Sequence, residues 1–454
     1  MKEINARIFK QYDIRGIYGK ELLDEDAERI GRAFGTYIKR KGEMEAVVGM
    51  DNRKSSPALF QSLVKGLRES GIHVRKIGVV LSPIFYYATH LYQIKSGIMI
   101  TASHNPAEYN GFKVQYDGRT LYGEELQELR TIIENEDYEA GQGELTEQSP
   151  VDDYINMIKE KIQLSGRRLK VVVDCGNGTA GFFAPRLLME LGCEVIPLYC
   201  DSDPDFPNHF PDPVKAENLR DLIAAVKENG ADLGVAFDGD GDRLGVVDHQ
   251  GNIIWGDQLM ILFWREILPK YPGTDAIVEV KCSDTLVDEI KKLGGNPVFY
   301  KTGHSLIKAK MRELNAVFTG EMSGHMFFKD EYFGYDDALY ACARLLRIVA
   351  GSGKSLNELL SDVPKTFATP EIRVVCPEEE KLSYVEKARA YFKEKGNNLL
   401  EVDGVRVSFG NGWGLVRASN TGPELIVRCE SKTEEGLEVI KREIFSSIHP
   451  LKAM

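Results

Sequence analysis

At 454 residues the chain exceeds what one hydrophobic core serves, and at about 150 residues per domain it predicts roughly three domains, with four within reach. Its 43% hydrophobic and 28% charged residues exclude a disordered or fibrous chain. With 57 Lys plus Arg against 69 Asp plus Glu, the net charge of -12 speaks against a general nucleic-acid or anionic-membrane surface, so an anionic ligand requires a locally basic cleft.

The N-terminal MKEINARIFKQYDIRG has no apolar leader region, and no stretch approaches the ~20 apolar residues of a membrane span, so a cytoplasmic protein with no membrane partner is expected. Seven cysteines, at 175, 193, 200, 282, 342, 376 and 429, form no CxxC pair. That pattern fits free thiols better than a disulfide framework or a structural zinc.

A weak internal repeat decides the architecture: strand, helix, Gly-introduced strand, helix, and a third strand ending in a polar loop, three times over. In the first copy Ala46 to Met50 is the β-branched strand. Ser56 and Pro57 read as an N-cap and first-turn proline, and Leu59, Phe60, Leu63, Val64 and Leu67 recur at helical spacing up to Gly71. His73 to Leu81 is the next strand, Ser82 and Pro83 repeat the helix-start signal, and Ser96 to Ile100 runs into TASHNP, 101–106. The second copy takes Lys170 to Asp174, Gly192 to Leu198, and Asp232 to Phe237 ending in DGDGDR, 238–243. The third takes Ile277 to Val280, Gly295 to Tyr300, and Ala316 to Thr319 ending in GEMSGH, 320–325. Each unit thus delivers a polar loop from the C-terminal end of a strand, where open α/β sheets bind ligands. Polar stretches near 141–150, 249–252 and 361–370 mark boundaries. The expected domains are 1–148, 149–251, 252–366 and 367–454. The last is too short for a fourth copy and reads as a small α+β domain carrying RASNTGPE, 417–424.

DGDGDR sets Asp238, Asp240 and Asp242 with glycines between them, so the backbone can curl and aim three carboxylates at one hard cation. A calcium EF-hand loop would need Gly where Arg243 stands and Glu where His249 stands, which leaves magnesium as the better fit; the plain alternative is a solvated acidic turn. TASHNP offers Ser103 beside His104 and Asn105, with Lys113 ten residues on; by itself it could equally be a serine-capped turn. A hydrolase triad lacks its GxSxG elbow here. RASNTGPE packs Arg417, Ser419, Asn420 and Thr421 into five residues, a donor cluster suited to a phosphate or else a surface turn closed by Gly422 and Pro423. GEMSGH supplies Glu321, Ser323 and His325 for sugar hydroxyls.

Two other motifs compete. Gly176, Gly178 and Gly181 match GxGxxG after a strand, with Asp201 near the position of a ribose-binding acid, so a dinucleotide-binding module is the rival reading. GSGKS, 351–355, lacks the first Gly of a phosphate-binding P-loop because Ile348 stands there, and its glycines read as a helix end.

With the four loops in this order, and with YDIRG (12–16) and KTGH (301–304), the chain resembles the α-D-phosphohexomutase superfamily over essentially its whole length, most of all the bifunctional phosphomannomutase/phosphoglucomutase group. The resemblance implies three related α/β domains plus a smaller α+β domain around a central cleft. It implies magnesium as cofactor, glucose or mannose 1,6-bisphosphate as activator, and a phosphoryl group carried on Ser103. In that family pattern Ser103, Asp238, Asp240 and Asp242 hold the metal, and Arg15, His104, Lys113 and Arg243 surround the transferring group, with Lys113 as proton shuttle. Glu321 and Ser323 would bind sugar 3- and 4-hydroxyls, with Tyr12, Lys281, His304 and His325 nearby, and Arg417, Ser419, Asn420 and Thr421 would hold the idle phosphate. GEMSGH resembles the mannose/glucose group more than the glucosamine mutases, which remain the nearer alternative. A monomer or homodimer acting on hexose phosphates, without nucleic acid, is the expected form.

Overall fold

A computed structural model describes residues 3–419 and 422–449. Among these the chain divides into two compact units, one up to Phe263 together with Ser323–Leu359, the other from Trp264–Met322 and from Leu360 onward.

The first unit contains two sheets of like design. In one, the parallel strands His73–Val79, Glu45–Met50 and Ser96–Ile100 lie side by side, with Tyr109–Tyr116 and then Ile14–Ile17 added antiparallel and Leu145–Glu147 at the far edge. In the other, Glu194–Leu198, Lys170–Asp174 and Leu233–Phe237 are parallel, followed by antiparallel Leu244–Asp248 and Ile253–Ile254. The same strand order and the same return strand recur, and this is the repeat expected from sequence. The inner strands Ser96–Ile100, Leu233–Phe237 and Leu244–Asp248 are buried at every position, which is why they read as near-continuous apolar runs rather than alternating ones.

Two expectations change at the helix starts. The helix Ser56–Glu69 begins at Ser56 itself, behind Ser55, and the Ser56 hydroxyl donates to Asp51 Oδ1 at 2.5 Å instead of capping. The strand His73–Val79 stops short of Leu81, and the helix Ser82–Leu91 begins at Ser82, whose hydroxyl bonds Asp240. In both cases a buried carboxylate outcompetes the backbone for the hydroxyl proton, because a charged acceptor makes the stronger bond. The apolar stripe Leu59, Phe60, Leu63, Val64 and Leu67 is buried as expected.

The second unit begins the third copy: Asp275–Glu279 pairs in parallel with Asn296–Tyr300, and Thr319 Oγ1 donates to Ile277 O at 2.9 Å, attaching Phe318–Gly320 alongside. Its C-terminal part is an antiparallel sheet in the order Phe367–Ala368, Glu424–Ser431, Gly412–Ala418, Val405–Ser408, Leu399–Leu400, with Ile372–Val375 also paired to Glu424–Ser431. One face of that sheet, through Val405, Val407, Val416 and Val427, shares a core with helices Lys381–Glu394 and Glu434–Ser447. On the other face Arg406 lies over the Trp413 ring and donates to the carbonyls of Val280 and Cys282, fastening the α+β domain to the third copy. Three related α/β domains and a smaller α+β domain are the architecture.

Candidate active site

The TASHNP loop leaves the buried strand Ser96–Ile100 and turns sharply at Ser103, whose φ of 51° lies in the left-handed region that non-glycine residues avoid. Such a conformation costs of order 1–3 kcal/mol and persists only when neighbours over-determine it. Arg53 supplies that constraint. Its buried guanidinium donates to three carbonyls of the loop, Ser103 (2.8 Å), Asn105 (2.6 Å) and Pro106 (2.6 Å), and to that of Tyr109 (3.0 Å) where the next strand starts, and pairs with buried Asp51 at 3.2 Å. The Ser103 amide also donates to Thr101 Oγ1 at 2.9 Å. Thus held, the buried Ser103 hydroxyl donates to Asp238 Oδ2 at 2.7 Å and lies 3.1 Å from His104 Nδ1.

Asp238, Asp240 and Asp242 are all buried at the end of Leu233–Phe237 and bring one oxygen each to within 4.8 Å of the others. Gly239 lets this loop meet the serine loop: a Cβ there would sit 2.3 Å from Ser103 O. Lys113, on Tyr109–Tyr116, reaches in to Asp240 Oδ2 (2.6 Å) and Asp242 Oδ2 (2.5 Å), with Ser82 Oγ at 3.2 Å. Burial alone would lower the Lys113 ammonium, but the two carboxylates outweigh it and hold its pKa well above the ordinary lysine value. Burial and the neighbouring Asp242 and Asp240 charges push Asp238 up; Asp242, although buried too, is held below the usual carboxylate range by Lys113 and His325. One ammonium does not answer three buried carboxylates. Asp240 Oδ1 and Asp242 Oδ1 are buried and accept no hydrogen bond, so hard oxygen donors remain for a divalent cation, and the set fits magnesium.

Cations ring this centre. Arg15, from the edge strand Ile14–Ile17, donates to Asn105 Oδ1 and pairs with Asp13. Arg243 Nε donates to His325 Nε2 at 3.0 Å, lies 4.0 Å from Asp238 Oδ2, and its Nη1 is 3.8 Å from Asp212. His325 Nδ1 faces Asp336 Oδ2 at 3.1 Å and Asp242 Oδ1 at 3.5 Å. Desolvation, then Arg243, Arg15, His325 and Lys113, drive the His104 pKa well below the ordinary imidazole value, so it is neutral beside the serine. Tyr12 is buried and Ser323 half-buried in the same unit.

In the second unit Glu321 is buried and accepts from the Gly303 amide at 2.8 Å, in front of the helix His304–Leu314 that begins with His304. Lys281 pairs with Glu371 and lies 3.7 Å from Glu279. Burial pulls the Lys281 pKa down, but Glu279 and Glu371 carry it to about 12, while Glu371 falls to about 2, burial being outweighed by Lys281. Arg417 Nε donates to Asp403 Oδ2 at 2.9 Å, the same oxygen that accepts the Thr302 amide at 3.1 Å, while Arg417 Nη2 is buried without a hydrogen bond. Ser419 is buried, and Lys381 Nζ donates to its carbonyl oxygen at 2.8 Å. Asn420 and Thr421 lie outside the described residues.

Sequence reading missed Arg53, Ser82, Asp336, Lys381 and Asp403. For Arg53 a signal existed: Asp51, Asn52 and Arg53 follow the strand Glu45–Met50 at its C-terminal end, the place that marked the other loops. The GxGxxG run proves structural. Thr179 N donates to Gly239 O (3.3 Å) and Asn52 N to Thr179 Oγ1 (3.1 Å), and a Cβ at Gly181 would sit 2.0 Å from Cys200 O, so the loop props the aspartate loop from behind.

A serine hydroxyl, an acidic cation site and a collar of positive side chains equip the molecule to move a phosphoryl group, and on three repeated α/β domains with an α+β tail they define the class of phosphoryl-transferring mutases. The chain matches the phosphoglucomutase/phosphomannomutase family in alpha/beta/alpha domain I at 6–140, domain II at 152–251, domain III at 255–367 and the C-terminal domain at 371–447. It is 48% identical to the phosphomannomutase/phosphoglucomutase of Pseudomonas aeruginosa, over 96% of this chain and 94% of that one. It is 45% identical to the phosphoglucomutase of Neisseria meningitidis, over 98% and 97%. A phosphoglucomutase/phosphomannomutase family protein of Burkholderia thailandensis superposes with a TM-score of 0.92 at 42% identity, covering 98% of each chain. The chain belongs to the α-D-phosphohexomutase superfamily.

Proposed function

We propose that the chain transfers phosphoryl groups reversibly between the 1- and 6-positions of mannose and glucose phosphates, with Ser103 as the carrier and a hexose 1,6-bisphosphate as intermediate. The observation that supports this most directly is the Ser103 hydroxyl 2.7 Å from Asp238, in a triad that leaves two buried carboxylate oxygens without hydrogen bonds. Magnesium on Asp238, Asp240, Asp242 and the Ser103 phosphoryl group would neutralise charge on the group in flight. The chain's own residues do the rest. A hexose hydroxyl oxygen takes the phosphoryl group as the bond to Ser103 Oγ breaks, and the net proton passes from that hydroxyl to Oγ, with Lys113 as shuttle. Arg15, His104 and Arg243 orient the group. Glu321 and Ser323 take the 3- and 4-hydroxyls beside Tyr12, Lys281, His304 and His325, and Arg417, Ser419, Asn420 and Thr421 grip the idle phosphate. Mannose and glucose differ only at C2, so contacts to the 3- and 4-hydroxyls admit both.

We assign the domains as 1–148, 149–251, 252–366 and 367–454, and place a monomer or homodimer in the cytoplasm, activated by glucose or mannose 1,6-bisphosphate. Incubation with that bisphosphate should leave one phosphate on the wild-type chain and none on Ser103→Ala by intact-protein mass spectrometry, with mutase turnover lost in the variant. A coupled assay on mannose, glucose and glucosamine 1-phosphates sets the substrate. Full turnover in Ser103→Ala would discard the mechanism, and preference for the amino sugar would reassign the substrate.

A further inference from the structure

Cys175 and Cys200 leave the C-terminal ends of the adjacent parallel strands Lys170–Asp174 and Glu194–Leu198, where Asp174 is in register with Leu198. Their sulfurs lie 3.5 Å apart. Cys175 is fully buried and Cys200 half-buried, so an oxidant reaches the second first. Cys200 Sγ also lies 3.3 Å from Val173 O and 3.4 Å from Leu198 O, which fixes it beside its neighbour. An accessible cysteine in contact with a buried resolving partner is the arrangement of a redox site.

We propose that Cys175 and Cys200 form a reversible disulfide under hydroperoxides and that its closure slows the enzyme by moving the support of the aspartate loop. The Cys200 thiol gives up its proton, and the thiolate attacks the peroxide O–O bond, giving a sulfenic acid and hydroxide, which takes that proton and leaves as water. The Cys175 sulfur then displaces hydroxide from that sulfenic sulfur as a second water. Two thiols lose two electrons in all, and the peroxide gains them.

Bond formation brings the sulfurs to about 2.05 Å, a closure of about 1.5 Å divided between side-chain rotation and the flanking backbone. The segment between the cysteines and the site is short and hydrogen-bonded throughout. Gly178 N donates to Cys175 O (2.7 Å), Asn177 N to Tyr199 O (2.8 Å) and Asn177 Nδ2 to Asp201 O (2.8 Å), and Thr179 N meets Gly239 O at 3.3 Å. Gly239 lies between Asp238 and Asp240, so the displacement is delivered to the carboxylates that face Ser103. A misplacement of 1 Å costs up to about 100-fold in rate, and transmission through this loop predicts a loss of about fivefold or more.

The test uses the full chain, reduced, treated with stoichiometric hydrogen peroxide and quenched. Non-reducing peptide mapping should find Cys175 linked to Cys200, turnover should fall about fivefold or more, and dithiothreitol should restore it. Cys200→Ser and Cys175→Ser, each tested separately, should give no linked peptide, and Cys200→Ser should keep its turnover through the same treatment. Should either variant fail to fold, the linked peptide and its reversal in wild type still decide. Sulfinic acid at Cys200 without a linked peptide, a linked peptide with unchanged turnover, or equal peroxide sensitivity in folded Cys200→Ser would each overturn the proposal.

Discussion

The Arg417 guanidinium has one nitrogen on Asp403 and another, Nη2, buried with no hydrogen bond. A buried donor in that state costs about 1–3 kcal/mol, which an anionic ligand relieves. In the role proposed for Arg417 that ligand is the distal phosphate, which carries nearly the same charge before and during transfer, so the grip would be uniform binding. Arg417→Ala is therefore expected to raise KM about tenfold or more, with a smaller fall in kcat from loss of anchoring. In the proposed mechanism Asp240 helps to neutralise charge that develops on the transferring group, so Asp240→Asn should depress kcat about 100-fold or more, with excess magnesium restoring little. Steady-state kinetics decide both: an unchanged KM in the first, or near-wild-type kcat in the second, removes the assigned role. At this scale the sequence displayed the candidate ligand groups, because Ser103, the three aspartates and Arg417 with Ser419 sit in short polar runs. The residues that hold them are single side chains outside those runs, such as Asp403 for Arg417 and Asp336 for His325, and no motif announces them.

At the scale of the element, the TASHNP loop is held by another loop as well as by its own turn chemistry. Arg53 satisfies three of its carbonyls, and that of Tyr109 beyond it, through one planar fork, a geometry that an ammonium cannot reproduce. Arg53→Lys keeps the charge opposite Asp51 but leaves buried carbonyls short of donors, so it should cost about 2–4 kcal/mol of stability and lower turnover with Ser103 untouched. Thermal or urea unfolding together with kinetics checks this, and a variant as stable and active as wild type would show that the loop holds itself. The helix starts carry the same lesson. Ser–Pro at 56–57 and 82–83 correctly placed two helix starts, but the hydroxyls went to Asp51 and Asp240, since propensity sees the local backbone and not the buried carboxylate beside it.

Across the molecule, the repeat was readable because each copy pairs β-branched strands with a polar loop at the same point, and parallel sheets buried on both faces demand such apolar runs. The partners of edge strands were not readable: nothing in IRGI names Tyr109–Tyr116 as its neighbour, yet that pairing brings Arg15 to Asn105. The chain carries a net charge of -12 and must still bind a sugar phosphate, so the native fold has to create attraction that the unfolded chain lacks. A ligand that binds only the native state stabilises it by RT ln(1 + [L]/Kd), about 2.7 kcal/mol at a hundredfold excess over Kd. Mannose or glucose 1-phosphate with magnesium should therefore raise the thermal midpoint measurably, and a chelator should remove most of that rise by stripping the aspartate site. NAD and NADP should leave the midpoint unmoved, because the glycines of GNGTAG are packed against Gly239 and Cys200 and offer no room for a pyrophosphate. A midpoint raised by the dinucleotides and indifferent to hexose phosphates would reverse this ranking of ligands.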